Sequence, residues 1–523
     1  MVSLVGRLGL VLVLALVACS PAASPQPGAP APQETRAERQ NLRVAVKGIF
    51  GNPTPQSSAT LHFVYYPLYD NLTKLTEGYR VVPWVAERWE LQGNAAAWRF
   101  FLRKDMTWPD GSKLTAEDVA FTVDTIMKSR WPQLPYLENV SGAQVVDEFT
   151  VDLLLRAPDM SIPAAGNFLW IVPKRYFESV GFDGYVQKPV GSGPYELVSF
   201  RNADSVQFRK RSQPHAFRKA IAEEVVFTVI SENSQIINGL RTGEIDLALD
   251  VNFTGEQANT LKQAGMDLHV GLNTLQYMAL PQGSAELRKT PFTDKRVRQA
   301  LWYAINREAI ATTFFQGYAQ PAISVAVPGT PYHDPTIPIP PYDPARSKQL
   351  LAAAGYPNGF RLPGGLDYNT AFTTQDIVVA IQANLREIGL EFDVTANERA
   401  VAVDKAYGRN NLQKGDIWVA RQGDPLGFGG SRTFIGCGKP IGDPSALYWC
   451  NEQWDRLMDQ AYAEPDERKR AEILKQAARL QVEEAYYQAL YVEPLFGVAS
   501  TKTRGFKPDH PLYFNFDEAY KIN

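Results

Sequence analysis

The side chains that could do chemistry are few and scattered. The five histidines, His62, His215, His269, His333 and His510, include no His-x-x-x-His pair, so no helix presents the imidazole spacing of a zinc site, and each reads as a surface or loop histidine. No Gly-x-Ser-x-Gly elbow occurs; Gly191-Ser192-Gly193-Pro194 has the composition of a tight turn. A Walker phosphate loop is absent. Glu244, Asp246 and Asp250 could be imagined as an acid/base set, but they alternate with Ile245, Leu247 and Leu249, which reads as the solvated face of a half-buried strand. No nucleophile, base and orienting group converge in the sequence. The expectation is therefore a protein that is not an enzyme, with no metal and no cofactor.

Cysteine usage speaks to compartment. Arg7 precedes an apolar stretch from Leu8 to Ala18, too short for the roughly 30 Å of a bilayer core, so it reads as a signal peptide. The run ends in Leu16-Val17-Ala18-Cys19, which resembles the bacterial lipobox. That resemblance implies cleavage before Cys19 and lipid on its thiol; a plain signal peptide or an uncleaved anchor is the alternative. Residues 20–40, rich in Pro, Ala and Gln, cannot bury enough apolar surface to fold and read as a tether. With Cys19 set aside, Cys437 and Cys450 remain in a disulfide-permissive compartment, either as a bridge or as two buried thiols.

The elements that must position any site are legible by period. The whole chain has 523 residues, more than one core normally serves, so two or three domains are expected. Lys+Arg 53 against Asp+Glu 56 gives a net charge of -3, which argues against a nucleic-acid binder. Arg43-Val44-Ala45-Val46 reads as a first strand, followed by a Gly/Pro/Ser-rich loop. Thr115 and Asp118 start a helix ahead of Val119, Val123 and Ile126. A helix after Ser234 stops at Gly243 and gives way to a strand; a second such unit runs from Gln375 to Gly389 and then extends through Val394. Thr293 to Ile310 traces one apolar helix face, Asp343-Pro344 starts another helix that Gly355 ends, and Asp466 to Glu484 is long, charged and helical. Helix followed at once by strand is the grammar of an α/β layer.

Several ordered blocks resemble the bacterial extracellular solute-binding proteins of family 5, the peptide- and nickel-binding group. Trp108-Pro109-Asp110-Gly111-Ser112-Lys113-Leu114-Thr115-Ala116-Glu117-Asp118-Val119 is similar to the family's signature segment. Pro189 to Tyr195 is similar to its Gly-Thr-Gly-Pro-Tyr turn, with Ser192 for Thr; Gly243 to Asp246, Phe292 to Leu301 and Ala304 to Arg307 follow in order. The resemblance implies a two-lobed α/β fold of the type II periplasmic binding-protein class, with an extra subdomain in the first lobe. The expected division is 1–18 signal peptide, 19–41 tether, 42–70 with 190–285 and 484–523 as lobe I, 71–189 as the inserted subdomain, and 286–483 as lobe II. It implies a monomer, lipid-anchored at the outer face of the cytoplasmic membrane or in the periplasm. That monomer captures a peptide or peptide-like solute between the lobes and hands it to the membrane subunits of an ABC importer. A non-peptide ligand, such as an anionic conjugate or an oligosaccharide, or delivery to a chemosensory receptor, are the alternatives.

The same resemblance indicates where a ligand would sit. Ile417-Trp418-Val419-Ala420-Arg421-Gln422-Gly423-Asp424-Pro425 is similar to a cleft segment of the second lobe, and dipeptide-binding members carry an Asp where Arg421 stands, directed at the ligand's ammonium. A guanidinium is permanently cationic and favours carboxylate, phosphate or hydroxyl oxygens. Arg421 therefore either meets an anionic ligand group, or pairs with Asp424 or points to solvent. Trp418 offers a wall for ligand or packs in the core; Tyr277 lies in a segment similar to a Tyr-containing family stretch, though Ala279-Leu280-Pro281 departs from it. Thr54, in the loop after the first strand, either lines the cleft or is plain surface. Family members have a disulfide comparable to Cys437–Cys450, ending in a Trp-Cys like Trp449-Cys450.

Overall fold

The computed structural model describes residues 40–48, 51–55, 62–129, 131, 133–280, 290–324, 326–362, 364–370, 372–398, 401, 417–423, 437, 451–485, 488–510 and 513–523. Cys19, Asp424 and Cys450 lie outside the described residues.

The first strand, β1, covers Asn41–Val46. The chain then builds a separate antiparallel sheet from β2 (Ala86–Gln92), β3 (Ala97–Leu102), β4 (Val140–Asp147) and β5 (Thr150–Leu155), ordered β2-β3-β5-β4. The helix Ala116–Ser129 packs on it. As expected from Thr115 and Asp118, this helix is tied at its start. The Asp118 carboxylate accepts from the Thr115 and Lys174 backbone N–H groups, both at 2.9 Å, and from Trp108 Nε1 at 3.3 Å. Asp118 is thus a buried tie within the signature segment, its one carboxylate joining three stretches of chain.

Apart from four small two-stranded pairs among the described residues, the other strands join β1 in one large sheet: β6 (Tyr195–Arg201), β7 (Ser205–Lys210), β8 (Glu224–Val229), β9 (Leu247–Val251), β10 (Asp267–Ala279), β11 (Leu366–Asn369), β12 (Val394–Asn397), β13 (Ile417–Gly423) and β14 (Gln488–Ala499). Among the described residues its order is β12-β11-β13-β10-β14-β9-β1-β8-β7-β6, with Gln320–Pro321 pairing β14 as an eleventh strand. β1, β8 and β9 are mutually parallel, as are β11, β12 and β13. The two parallel sets are joined by the antiparallel β10 and β14, which pair over most of their lengths. One end of β14 pairs with β9, while the far half of β10 pairs with β13. Two lobes therefore share two through-running strands.

Each lobe has its own core. Phe100, Trp131, Phe168, Phe208 and Phe227 are fully buried in the first; Met278, Leu301, Ile381, Val419 and Tyr491 centre the second. Local signals behave as read, with one change. Asp294, Asp343 and Asp466 cap the helices Lys295–Ala304, Pro344–Ala353 and Glu467–Glu483, but the face read over Thr293 to Ile310 is two helices. The chain breaks at Ile305-Asn306, and Asn306 caps Arg307–Phe315 by accepting from Ala309 N–H.

Another reading is corrected. Asp246 is not on a solvated face: it is buried, accepts from Arg43 N–H at 2.8 Å, and pairs with Arg43 at 3.2 Å and Lys521 at 3.1 Å. Leu247, Ala248 and Leu249 are all buried as well, because β9 is a central strand covered on both faces, and such strands do not alternate.

Gly191 and Gly193 show why the Gly-Ser-Gly-Pro turn requires glycine. A Cβ on Gly191 would stand 1.9 Å from Leu68 O, and one on Gly193 2.3 Å from Pro67 O. Between them Ser192 is buried, and its hydroxyl donates to Asp70 Oδ2 at 2.8 Å. Asp70 is the centre of a dry charged node. Arg218 Nη1 donates to its Oδ1 at 3.2 Å, Trp84 Nε1 donates to the same oxygen at 3.0 Å, and His215 Nε2 lies 2.9 Å from Oδ2. His215 Nδ1 accepts from the Phe217 and Arg218 backbone N–H groups, leaving Nε2–H as the donor to Asp70. Arg218 also forks onto Asp517 at 2.7 and 3.0 Å, tying the chain's last turn to its first lobe.

Burial alone would push the Asp70 carboxyl up, but His215, Arg218 and Ser192 more than offset it and hold it well below the usual carboxylate range. A depressed folded value adds stability that is complete above the unfolded value, about 3.9, and is lost as pH falls towards the folded one. Asp70→Asn should cost about 3–5 kcal/mol at neutral pH, because it leaves the Arg218 charge half-compensated. It should also flatten the loss of stability below about pH 4. Urea unfolding of both proteins between pH 2 and 7 checks this; parallel acid limbs would contradict it.

Candidate functional site

In open α/β sheets, ligands gather at the carboxyl ends of parallel strands, because helices cover the faces and the loops beyond those ends are free to vary. Here two such edges exist, one per lobe. In the first lobe, β1 and β9 end at Val46 and Val251. Just beyond β1, Lys47 Nζ donates to Ser231 O. Burial lowers the Lys47 pKa to about 8, with Glu232 opposing. In the second lobe, β11 ends at Asn369 and β13 at Gly423. The two edges meet at one point, where Arg421 Nη2 of β13 donates to Asp250 Oδ1 of β9 at 3.1 Å.

Register explains the meeting. Gln276 of β10 stands opposite Arg421, and Thr274 stands opposite Glu493 of β14. Residues two apart on a strand share a face, so Thr274, Gln276, Glu493 and Arg421 line the same side of the through-running pair. The Arg421 guanidinium lies 3.5 Å from Glu493 Oε2 through Nε and 5.1 Å from the centre of the Phe372 ring. Gln276 Nε2 donates to Glu493 Oε2 at 3.2 Å and to Phe372 O at 3.1 Å, and its Oε1 accepts from Thr373 Oγ1 at 3.3 Å.

Asp250 reaches the cluster through an irregularity in its own strand. The β9–β14 register shifts between Leu249 and Val251, and Asp250 has φ +53°, a left-handed conformation uncommon for a non-glycine residue and concentrated at functional sites. Without that bulge, strand alternation would aim the carboxylate elsewhere.

Burial grades the three charges. The side chains of Arg421, Asp250 and Glu493 are 17%, 25% and 5% exposed. Burial opposes the Arg421 charge, but Asp250 and Glu493 more than offset it, so its pKa is raised. Burial pushes the Glu493 carboxyl above its usual range, with Arg421 and Gln276 working against the shift.

The residues expected to form a site are not gathered in one place. Arg421 is at the meeting of the lobes, but its partners are Asp250 and Glu493 rather than solvent; Asp424 lies outside the described residues. Trp418 stands opposite Ala279, and Tyr277 opposite Ala420, so both belong to the face of the sheet away from Arg421. Tyr277 is buried there with Leu275, Trp454 and Met458, while Trp418 is half-buried. Thr54 is buried in the loop after β1, with its hydroxyl donating to Asn52 Oδ1 at 2.6 Å. Tyr69 OH and Gln133 Nε2 bond the carbonyls of its neighbours Pro53 and Pro55.

Three members of the cluster were missed or misassigned. Glu493 had a usable signal: it is the lone charge in the apolar run Ala489 to Phe496, where an unpaired carboxylate would be costly. Gln276 and Asp250 had none, because their partners are remote in sequence.

Two through-running strands, a two-lobed sheet and strand ends facing each other across the lobes define a type II periplasmic binding-protein fold. Solved structures agree. The dipeptide-binding protein from Pseudoalteromonas sp. SM9913, in complex with Met-Leu, matches with a TM-score of 0.80 at 20% identity, over 92% of this chain and 100% of that one. The binding protein DppA from Helicobacter pylori, in complex with the peptide STSA, gives 0.79 at 21% identity, over 92% and 98%. Residues 80–428 match the model of the middle region of the bacterial extracellular solute-binding proteins, family 5. Glutathione-binding protein GsiB of Escherichia coli (strain K12) is 26% identical over 465 residues, 86% of this chain and 88% of that protein. The chain belongs to solute-binding protein family 5, whose members bind solutes outside the cytoplasm for ABC importers.

Proposed function

We propose that this protein captures a peptide or peptide-like solute where the two strand edges meet and presents it to an importer from a lipid anchor at Cys19. The observation that carries the reading is the convergence of both lobes' parallel-strand ends on Asp250 and Arg421, 3.1 Å apart. The similar proteins named for glutathione and for peptides fit a solute of that kind. On this reading lobe I comprises 42–70, 190–285 and 484–523, with 71–189 inserted, and lobe II comprises 286–483. Arg421 is a ligand-facing residue with Asp424 three positions on in sequence, while Trp418 and Tyr277 lie on the sheet face behind it and Thr54 is buried in the loop after β1.

Arg421 does not enter the site as a bare cation. Two carboxylates lie within 3.5 Å of it, so an ammonium-bearing solute meets a compensated group rather than a repelling charge. The Arg421 charge therefore does not by itself exclude a solute with a free ammonium group.

A solute touching both lobes favours the closed arrangement by its differential affinity for that state. Protein stripped of the solute that co-purifies with it, identified by native mass spectrometry, should show a smaller radius of gyration when that solute is restored, with unchanged circular dichroism. Coincident scattering curves at saturation would contradict the interlobe site.

The cysteines carry the anchoring and bridging parts of the reading. Cys437 N–H donates to Asp455 Oδ2 at 2.9 Å, which ties Cys437 to the helix Glu452–Ala463; a bridge to Cys450 would stabilise the fold by about 3 kcal/mol. Lipidated and bridged protein should have no reactive thiol when denatured without reductant, and Cys19→Ala should leave the membrane fraction. Two titrating thiols, or membrane retention of that variant, would overturn the respective assignment.

A further inference from the structure

We infer that Asp250 and Arg421 together form a socket for a zwitterion, and that the solute is recognised by an intact α-amino-acid head, with ammonium and carboxylate on one carbon. This rests on the interlobe reading above and narrows it to a chemical class: side-chain-linked amino-acid conjugates, such as γ-glutamyl peptides, rather than ordinary α-linked peptides.

The argument begins with unused bonding capacity. A guanidinium has five N–H donors in a planar fork, and a carboxylate has two oxygens that accept. Among the described residues, Arg421 spends Nη2 on Asp250 Oδ1 and sets Nε beside Glu493. Its Nη1 and the Oδ2 of Asp250 take no bond from any described residue. Both side chains keep part of their surface open, whereas Glu493 and Gln276 beneath them are buried. One cationic and one anionic edge are thus presented side by side, one from each lobe.

Charge pairing then discriminates among solutes. A lone anion placed on Arg421 also meets Asp250 and approaches Glu493, while a lone ammonium placed on Asp250 leaves the open Nη1 edge of Arg421 without a charged acceptor. A head bearing both charges on one carbon sets carboxylate on guanidinium and ammonium on carboxylate, so that four charges alternate around a ring and every near neighbour is opposite in sign. An α-linked peptide separates its two charges to opposite ends and offers the socket an ammonium beside a neutral carbonyl. The bulge that puts Asp250 at φ +53° is the backbone cost of bringing the anionic half to this point.

The isomers γ-glutamylglycine and α-glutamylglycine have the same composition and net charge and differ in whether the α-carboxylate is free. Calorimetry on solute-stripped wild-type protein should find the γ isomer bound about tenfold or more tightly than the α isomer, a difference of about 1.4 kcal/mol or more. N-acetylation of the γ isomer should remove the advantage, as should Asp250→Asn. Equal or tighter binding of the α isomer, an N-acetyl derivative bound as well as its parent, or no heat from either isomer at millimolar concentration would overturn the socket. A co-purified solute lacking such a head, yet able to compact the protein, would overturn it while leaving the interlobe reading intact.

Discussion

The hydrogen-bonded pairing of β10 with β14 is the constraint on which the architecture of the site depends. Among the described strands the two parallel sets are joined through this pair, since β14 pairs with β9 of the first set and β10 with β13 of the second. Because side chains alternate strictly along a strand, their register decides which residues of the two lobes share a face. It places Gln276 beside Arg421 and Thr274 beside Glu493, and it sends Tyr277 and Trp418 to the opposite side. A slip of one residue would bury the guanidinium against Trp454 and Met458 instead of bringing it to the edge of the first lobe.

The molecule handles buried charge in two distinct ways. At Asp70 every oxygen is engaged by Trp84, Ser192, His215 or Arg218. Such a saturated node confers rigidity and has no capacity left for a ligand. The cluster at Arg421 is built differently: its base, Glu493 with Gln276, is buried and bonded, while the Asp250–Arg421 edge spans the lobes and remains partly open. Incomplete satisfaction at a seam between two bodies is what separates a recognition site from a structural brace.

Much of the fold is legible in the amino-acid sequence because its signals are local. Aspartates at 294, 343 and 466 cap helices where they stand, Gly243 and Gly389 end helices at positive φ, and the Trp108-to-Val119 segment turns and starts a helix as its residues dictate. The site is less legible because it is non-local. Arg421 stands out as a departure from a family pattern, but its partner Asp250 is 171 positions away, and nothing near Asp250 announces a bulge. Period alone puts Asp246 and Asp250 on a solvated face; the sheet order overrules it by making β9 central.

The central claim is that solute binds at the seam where Asp250 of one lobe meets Arg421 of the other. A crystal structure of the protein with its retained solute tests it most directly. The account predicts solute density within hydrogen-bonding distance of both the Arg421 guanidinium and the Asp250 carboxylate. Solute seated elsewhere, for instance in the lateral cavity lined by Trp108, Lys174 and Lys188, with the Asp250–Arg421 pair untouched, would contradict it.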